Sequence, residues 1–222
     1  MVPLGELTVE EAVRLQESLA PSVVRAPPPG FVPRTAAGLD VAYATDSDAV
    51  AAAVVTISIA TGAVLESATA VGTADFPYVP GLFAFRELPV LLEAFARLRT
   101  PPDLLVADGH GIAHPRRFGL ACHLGVVTGL PTIGVAKTAL GDHAPPGPER
   151  GATSDLVEAG ERVGVALRTR PNVRPVFVSI GHLVDLPTAC EHVLSLSKRF
   201  RLPETTRQAD HRCRQTLRDM RG

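Results

Sequence analysis

The chain has 222 residues, of which 45% are hydrophobic and 20% are charged, and its formal net charge is −1. This composition excludes a disordered chain and predicts a single domain over residues 1–222 with a sizeable core. A charge so close to zero argues against strong non-specific binding of nucleic acid over the whole surface.

Neither a membrane span nor an export signal is visible in the sequence. The longest apolar run, residues 49–60, falls short of the roughly 18 residues that cross a bilayer. Acids, not a basic cluster, occupy the N-terminal segment at Glu6, Glu10 and Glu11. The cysteines are odd in number and form no Cys-x-x-Cys pair, which is typical of reduced thiols. We expect a cytoplasmic monomer without a membrane partner.

The N-terminal half predicts one helix followed by an antiparallel meander. Thr8 and Glu11 form a capping-box pattern, and apolar spacing carries the helix to about Leu19. A proline-rich link follows. Three apolar, β-branched runs separated by short turns then predict strands at residues 35–45, 49–60 and 63–72.

Helices and strands alternate in the rest of the chain, which predicts a mixed α/β sheet. Helical patterns cover residues 90–98 and 113–129 and follow Asp185 and Pro203. Strand patterns cover residues 104–107, 132–135, 163–168 and 176–180. Residues 141–151, rich in proline and glycine, are predicted to be the most mobile loop.

Two aspartates stand in or directly after apolar strands. Asp40 lies inside the run 38–43, and Asp108 follows Leu104–Ala107 and precedes Gly109. A buried carboxylate is costly unless it is paired or binds a metal. If the two strands are neighbours, both acids reach one place, where oxygen ligands suit Mg²⁺ or Mn²⁺. The alternative is that such an aspartate caps a turn.

Glu87 and Lys137 are weaker candidates when each is taken alone. Glu87 fits a solvated acid at a helix start, favoured by the helix dipole, but beside Asp40 and Asp108 it becomes a third metal ligand. Lys137 follows an apolar strand and is one of only two lysines. It could touch a scissile phosphate as a point charge or lie solvated at the strand end.

The segment 76–83 places an aromatic residue between prolines. Pro77, Val79 and Pro80 surround Tyr78, and Gly81 follows. Prolines stiffen the loop, and glycine allows close approach of a ligand. A stiff aromatic tip suits a wedge that enters a base stack. A packed surface loop is the alternative.

A histidine lies between two glycines just after Asp108. Gly109, His110 and Gly111 could present backbone N–H groups to an anion or a base edge. Together His110, His114 and His123 raise the possibility of a zinc site. Pro115 makes helical geometry unfavourable there, so we favour His114 as a proton or phosphate partner over a zinc ligand, with a buried structural histidine as the alternative.

The C-terminal segment 198–221 is locally basic, with eight lysine and arginine residues against three acids. It offers a local basic face despite the nearly neutral chain, or it is simply a solvated helix.

Five motifs together resemble the endonuclease V family in order and spacing, over about residues 38–207. They are GLDVAY at 38–43, PYVPG at 77–81 running on to FRE at 85–87, DGHGIAHPRR at 108–117, TIGVAK at 132–137 and SIGH at 179–182. The resemblance implies a ribonuclease H-like fold, with a mixed five-stranded sheet, three strands antiparallel, flanked by helices. It also implies a DNA repair endonuclease that requires Mg²⁺ or Mn²⁺. Such an enzyme nicks the strand carrying deoxyinosine at the second phosphodiester bond on the 3′ side and leaves 3′-hydroxyl and 5′-phosphate ends.

The resemblance also assigns residues by position. Asp40, Glu87 and Asp108 would bind the metal, Lys137 would contact the phosphate and His114 would assist there. Tyr78, within residues 77–80, would be the strand-separating wedge. The pocket for flipped hypoxanthine would be lined by Gly81, Gly109, Gly111 and Gly134. Some relatives have a histidine near the metal in the last helix, where this chain has Asp210 and His211, and the sequence leaves open which of the two faces inward.

Three rival functions remain at this point. The same metal site could cut inosine-containing RNA, or the protein could bind damaged nucleic acid without cutting it. A zinc hydrolase using the three histidines ranks below both.

Overall fold

The computed structural model describes residues 7–220; Glu6 and Arg221, used above, lie outside this range. Its helices are α1 (Val9–Leu19), α2 (Phe83–Ala96), α3 (Leu120–Thr128), α4 (Leu186–Leu196) and α5 (Glu204–Asp219). Its strands are β1 (Thr35–Tyr43), β2 (Ala49–Ser58), β3 (Val64–Thr73), β4 (Leu104–Ala107), β5 (Thr132–Ala136), β6 (Asp142–His143), β7 (Thr153–Glu158), β8 (Glu161–Leu167) and β9 (Val176–His182). None of the helices in this part of the chain is long and apolar enough to cross a membrane.

Local signals explain several helix boundaries. The Thr8 hydroxyl accepts the Glu11 N–H at 3.2 Å while the Glu11 carboxylate accepts the Thr8 N–H at 2.8 Å, so the predicted capping box starts α1. Asp185 caps α4 by accepting the Thr188 N–H at 2.8 Å. α3 ends where Gly129 adopts φ +69°, a left-handed conformation that favours glycine. The predicted helices at these places are confirmed.

The sheet has the predicted mixed core and extends well beyond it. Its order is β3-β2-β1-β4-β5-β9-β8-β7-β6. β3, β2 and β1 are antiparallel, and β4 and β5 run parallel to β1, which is the ribonuclease H-like arrangement. Four further antiparallel strands continue from β5. The fold class is confirmed, but residues 7–220 contain nine strands in one sheet instead of five.

Two helices begin elsewhere than the sequence pattern predicted. α2 starts at Phe83 and contains Pro89, because its buried side chains on one face outweigh the hydrogen bond that proline removes. α3 starts at Leu120 because residues 109–119 form tight turns, including Arg117 at φ 56°. The loop 141–151 also contains a short strand, β6, and Arg168 donates to the carbonyls of Pro146 and Gly147.

Both faces of the sheet are covered, so the core has two halves. Leu105 and Ala107 of β4 point into a cluster with α2 and α3. Leu104 and Val106 point into the opposite cluster, which contains residues of α4 and α5. Because both faces of β4 are buried, polar groups can reach solvent only at its ends, and Asp108 lies at one of them.

Candidate active site

Asp40 and Asp108 are neighbours because of the register between two parallel strands. β1 pairs with β4 so that Leu39 faces Ala107. The Asp108 N–H also points to the Leu39 carbonyl oxygen, at 3.5 Å. The residues that follow this pair are Asp40 and Asp108, so the two acids emerge side by side at the same edge of the sheet.

Glu87 approaches these two acids from α2. Its side chain is only 5% exposed. The Tyr43 hydroxyl, at the end of β1, donates to Glu87 Oε1 at 3.4 Å. Burial and the charges of Asp40 and Asp108 raise the pKa of Glu87 well above its usual value. The three acids therefore interact electrostatically although they come from three separate segments.

The same repulsion acts on Asp40. Burial, the largest cause, and the charge of Asp108 raise the pKa of Asp40 to about 7, while Lys137 opposes the shift. Mutually repelling carboxylates at one edge of a sheet have the donor chemistry that a hard divalent cation requires. Among residues 7–220, no three His, Cys, Asp or Glu side chains lie close enough as they stand to hold a metal ion. What fits Mg²⁺ here is the donor chemistry, since carboxylate oxygens suit this ion and it commonly keeps several waters.

Lys137 follows β5 and forms an ion pair with Asp108. Burial opposes its charge, but the hydrogen bond to Asp108 and the charges of Asp108, Asp40 and Asp210 raise its pKa above the usual value. Lys137 therefore remains an ammonium ion beside the acids. Arg201 holds the backbone at this place by donating from Nη2 to the Lys137 carbonyl oxygen at 3.0 Å.

Asp210 is a fourth acid at this site, and sequence reasoning left its role open. It lies on α5, and its charge acts on both Asp40 and Lys137. Its carboxylate also pairs with Arg214 at 2.7 Å, whereas His211 is exposed. Thr206, four residues before Asp210, is buried, and residues four apart lie on the same face of a helix. The spacing of the buried positions along α5 was therefore the signal that could have selected Asp210 over His211.

A cavity of about 320 Å³ lies beside Asp108 and Lys137. Its walls come from α1, the start of α2, the segment after β4 and the residues after β5. They include Gln16, Gly81, Phe83, Gly109, His110 and His114. This volume is within the range of small-ligand pockets, roughly 300–1,000 Å³.

The four glycines predicted to line a pocket divide into two pairs. Gly81, at φ +80°, and Gly109 line the cavity. A Cβ on Gly111 would lie 1.9 Å from the Ile180 carbonyl oxygen, and one on Gly134 would lie 2.6 Å from the Gly111 nitrogen. The second pair thus allows the loop after β4 to pack directly on β5 and β9. Gly111 and Gly134 do not line this cavity, and their role in a pocket for the flipped base stays a prediction.

Tyr78 lies at the exposed tip of its loop. Its side chain is 73% exposed, flanked by the exposed Pro77 and Pro80 and the half-buried Val79. Its ring packs edge-on against Phe83, with the centroids 6.4 Å apart. Phe83 lines the cavity, so this aromatic contact joins the loop tip to the cavity wall.

His114 supports the cavity wall. Its Nδ1 accepts the Arg116 N–H at 3.2 Å, so Nε2 carries the proton and donates to the Gly81 carbonyl oxygen at 2.9 Å. Burial, followed by the charge of Arg116, lowers the pKa of His114 to about 4. The ring is therefore neutral near pH 7.

The three histidines weighed as zinc ligands have separate environments. His110 and His114 line the cavity, whereas the His123 ring packs between Phe85 and Phe118. No metal-binding group of three is found in the part of the chain described by the structure. This arrangement does not support the hypothesis of a zinc hydrolase.

Over most of its length, the chain is similar in sequence to proteins described as Endonuclease V. A family model described as Endonuclease V matches residues 17–211. The Endonuclease V of Nocardia farcinica is 59% identical over 215 residues, covering 97% of this chain and 95% of that protein.

Solved structures show the same similarity. The crystal structure of the Endonuclease V from Streptomyces avermitilis superposes with a TM-score of 0.92 at 50% identity, covering 97% of this chain and 95% of that one. Endonuclease V of Ciona intestinalis, crystallised with a 24mer DNA containing an inosine followed by a ribo-adenosine, gives a TM-score of 0.85 at 26% identity, with 96% and 98% covered. Together with the family model, these similarities show that the chain belongs to the endonuclease V family.

Proposed function

We propose that this protein is a metal-dependent DNA repair endonuclease that nicks the strand containing deoxyinosine at the second phosphodiester bond on its 3′ side. The products would carry 3′-hydroxyl and 5′-phosphate ends. The observation that carries the proposal is the cavity of about 320 Å³ lined by Asp108 and Lys137. A base pocket next to a phosphate-cleaving site is what a lesion-directed nuclease needs. The inosine-containing DNA bound by the Ciona relative supports the choice of lesion.

Asp40, Asp108 and Glu87 are the residues that would hold Mg²⁺, which Mn²⁺ could replace, and Asp210 adds negative charge at the same place. When bound, the cation would supply positive charge against the charge developing on the phosphate and would increase the acidity of water. Because the acids repel one another without it, cation binding would also relieve strain in the folded protein.

The protein's own side chains would position the substrate. The Lys137 ammonium offers a point charge to a phosphate beside Asp108. Tyr78, stiffened by Pro77 and Pro80, would enter the base stack while the flipped base occupies the cavity. Inosine pairs weakly, so its extrusion costs less than the few kcal/mol typical of a sound base. His114, with both ring nitrogens engaged, would support the pocket instead of transferring a proton.

The decisive experiment uses a labelled duplex with one deoxyinosine, incubated with Mg²⁺. Wild type should give one nick displaced to the 3′ side, and Asp40→Ala should give none. The matched control is Asp75→Ala, at an exposed aspartate, which should cut like wild type. Cutting that persists in Asp40→Ala, or that ignores the inosine, contradicts the proposal.

Cleavage of inosine-containing RNA is a second candidate. The DNA bound by the Ciona relative carries a ribo-adenosine directly after the inosine, which favours testing ribonucleotides at that place. Parallel assays on matched DNA and RNA strands separate the two activities. Binding without cutting of either strand would instead support a recognition module.

A further inference from the structure

Gln16 is a buried polar residue that lies outside all the motifs described above. It belongs to α1 and is 1% exposed. Its Nε2 donates to the carbonyl oxygens of Gly81 at 3.1 Å and Phe118 at 2.9 Å. Its Oε1 accepts from Arg116 Nε at 2.6 Å. A buried amide whose donors and acceptor are all engaged between separate chain segments fixes those segments relative to one another.

The Gly81 carbonyl oxygen receives an unusual number of donors. Besides Gln16, it accepts from His114 Nε2 at 2.9 Å and from Arg116 Nη2 at 2.8 Å. Gly81 is also the residue at which the Tyr78 loop ends, and its φ of +80° turns the chain into α2. One peptide group directly after the loop is thus anchored by three side chains.

Gln16 joins the two sides of the cavity. Gly81 belongs to the wall that carries the Tyr78 loop, whereas Arg116 and Phe118 belong to the segment after β4. Gln16 itself is among the residues that line the cavity. Without its amide, Arg116 loses an acceptor and Gly81 loses one of its three donors, so both walls become less constrained.

We infer that Gln16 is a positioning residue for lesion recognition, which holds the Tyr78 loop at a fixed distance from the base cavity. The inference rests on the proposed function. Holding the loop in place before substrate arrives reduces the ordering that must accompany base extrusion. Gln16 should therefore matter most when the inosine has to be pulled out of a duplex and least when it is already unpaired.

The test compares two substrates with Gln16→Leu and with Gln16→Glu, which keeps an acceptor for Arg116 but cannot donate to Gly81. The substrates carry inosine either paired in a duplex or within an unpaired bubble in the same sequence. Single-turnover nicking with Mg²⁺ should slow about 10- to 100-fold on the paired substrate for Gln16→Leu, since buried hydrogen bonds are lost. On the bubble it should slow less than about threefold. The control Glu17→Leu, at an exposed neighbouring position on α1, should match wild type on both.

A second measurement does not depend on activity. The chain contains no tryptophan, so Tyr78→Trp introduces a single tryptophan, which can be excited selectively, at the loop tip. Its anisotropy should fall when Gln16→Leu or Gln16→Glu is added and stay unchanged with Glu17→Leu. Equal loss of nicking on both substrates, or unchanged anisotropy in folded Gln16 variants, overturns the inference. If wild type nicks neither substrate, the proposed function fails, and the anisotropy still decides whether Gln16 holds the loop.

Discussion

A Cβ atom placed on Gly38 would lie 2.1 Å from the carbonyl carbon of Thr205, so α5 crosses β1 at a distance that only glycine permits. This contact lies two residues before Asp40 and five before Asp210. It therefore fixes how closely the last helix approaches the acids of the sheet, and it explains why Asp210 influences the pKa of Asp40.

Gly38→Ala should destabilise the protein and displace the last helix. The obstacle is backbone, which cannot rotate away as a side chain would, so we expect a loss of about 3 kcal/mol in the free energy of unfolding. Nicking of the inosine duplex should fall with it. Urea unfolding measures the first effect and single-turnover nicking the second.

Gly72→Ala is the matched control for that substitution. A Cβ there would meet the Val90 side chain at 3.8 Å, an ordinary contact. Its stability should equal that of wild type or exceed it by up to about 1 kcal/mol, because glycine weakens a strand interior. Similar destabilisation by both substitutions would show that the contact between α5 and β1 is not the cause.

The sequence could place Asp40 and Asp108 but not all of their surroundings. An acid inside one apolar strand and an acid directly after another predict the pair, because the register between these neighbouring strands brings the two acids together. Glu87 was harder to place, because Pro89 hides the helix in which it lies. The packing of Gly111 and Gly134 could not be predicted at all, because the atoms that exclude a Cβ come from distant segments. Predicting that Asp210 faces the site required knowing which face of α5 is buried, and the buried positions of that helix define this face.

Divalent metal should stabilise the wild-type protein through Asp40. At a Mg²⁺ concentration 100 times the dissociation constant, the expected gain is about 2.7 kcal/mol. Burial and Asp108 raise the pKa of Asp40 to about 7 in the metal-free protein, so protons compete with the metal. The gain should therefore shrink as the pH falls below 7. Thermal melts with Mg²⁺ and with EDTA measure it.

Asp40→Asn should remove most of this metal-dependent gain and lower nicking by at least about a thousandfold, as expected when a group that stabilises transition-state charge is lost. Asp75→Asn should behave as wild type in both measurements. A full Mg²⁺ effect on the melting of Asp40→Asn would show that Asp40 is not a ligand.

Arg201 should affect the rate of cleavage through Lys137. Its guanidinium donates to the carbonyl oxygens of Lys137 at 3.0 Å and Pro175 at 2.8 Å. Arg201→Gln should release the backbone that carries the Lys137 ammonium and lower single-turnover nicking about tenfold, with little change in DNA affinity. Arg199→Gln, at an exposed position, is the control of equal charge change. Equal effects of the two variants would show that Arg201 acts only through its positive charge.

His123 should make the fold sensitive to mild acid. It is 2% exposed between Phe85 and Phe118, its Nδ1 has no hydrogen-bond partner among the described residues, and burial lowers its pKa to about 4. Below pH 6.5 the unfolded chain binds a proton that the folded chain does not, so stability falls as the pH falls. The loss attributable to this residue should reach about 3 kcal/mol between pH 6.5 and 4, and then level off. His123→Leu places an apolar side chain there that cannot titrate. Urea unfolding at each pH measures the difference in unfolding free energy between wild type and His123→Leu, and this difference should follow the same pH dependence. A difference that does not change with pH would show that another group causes the acid sensitivity.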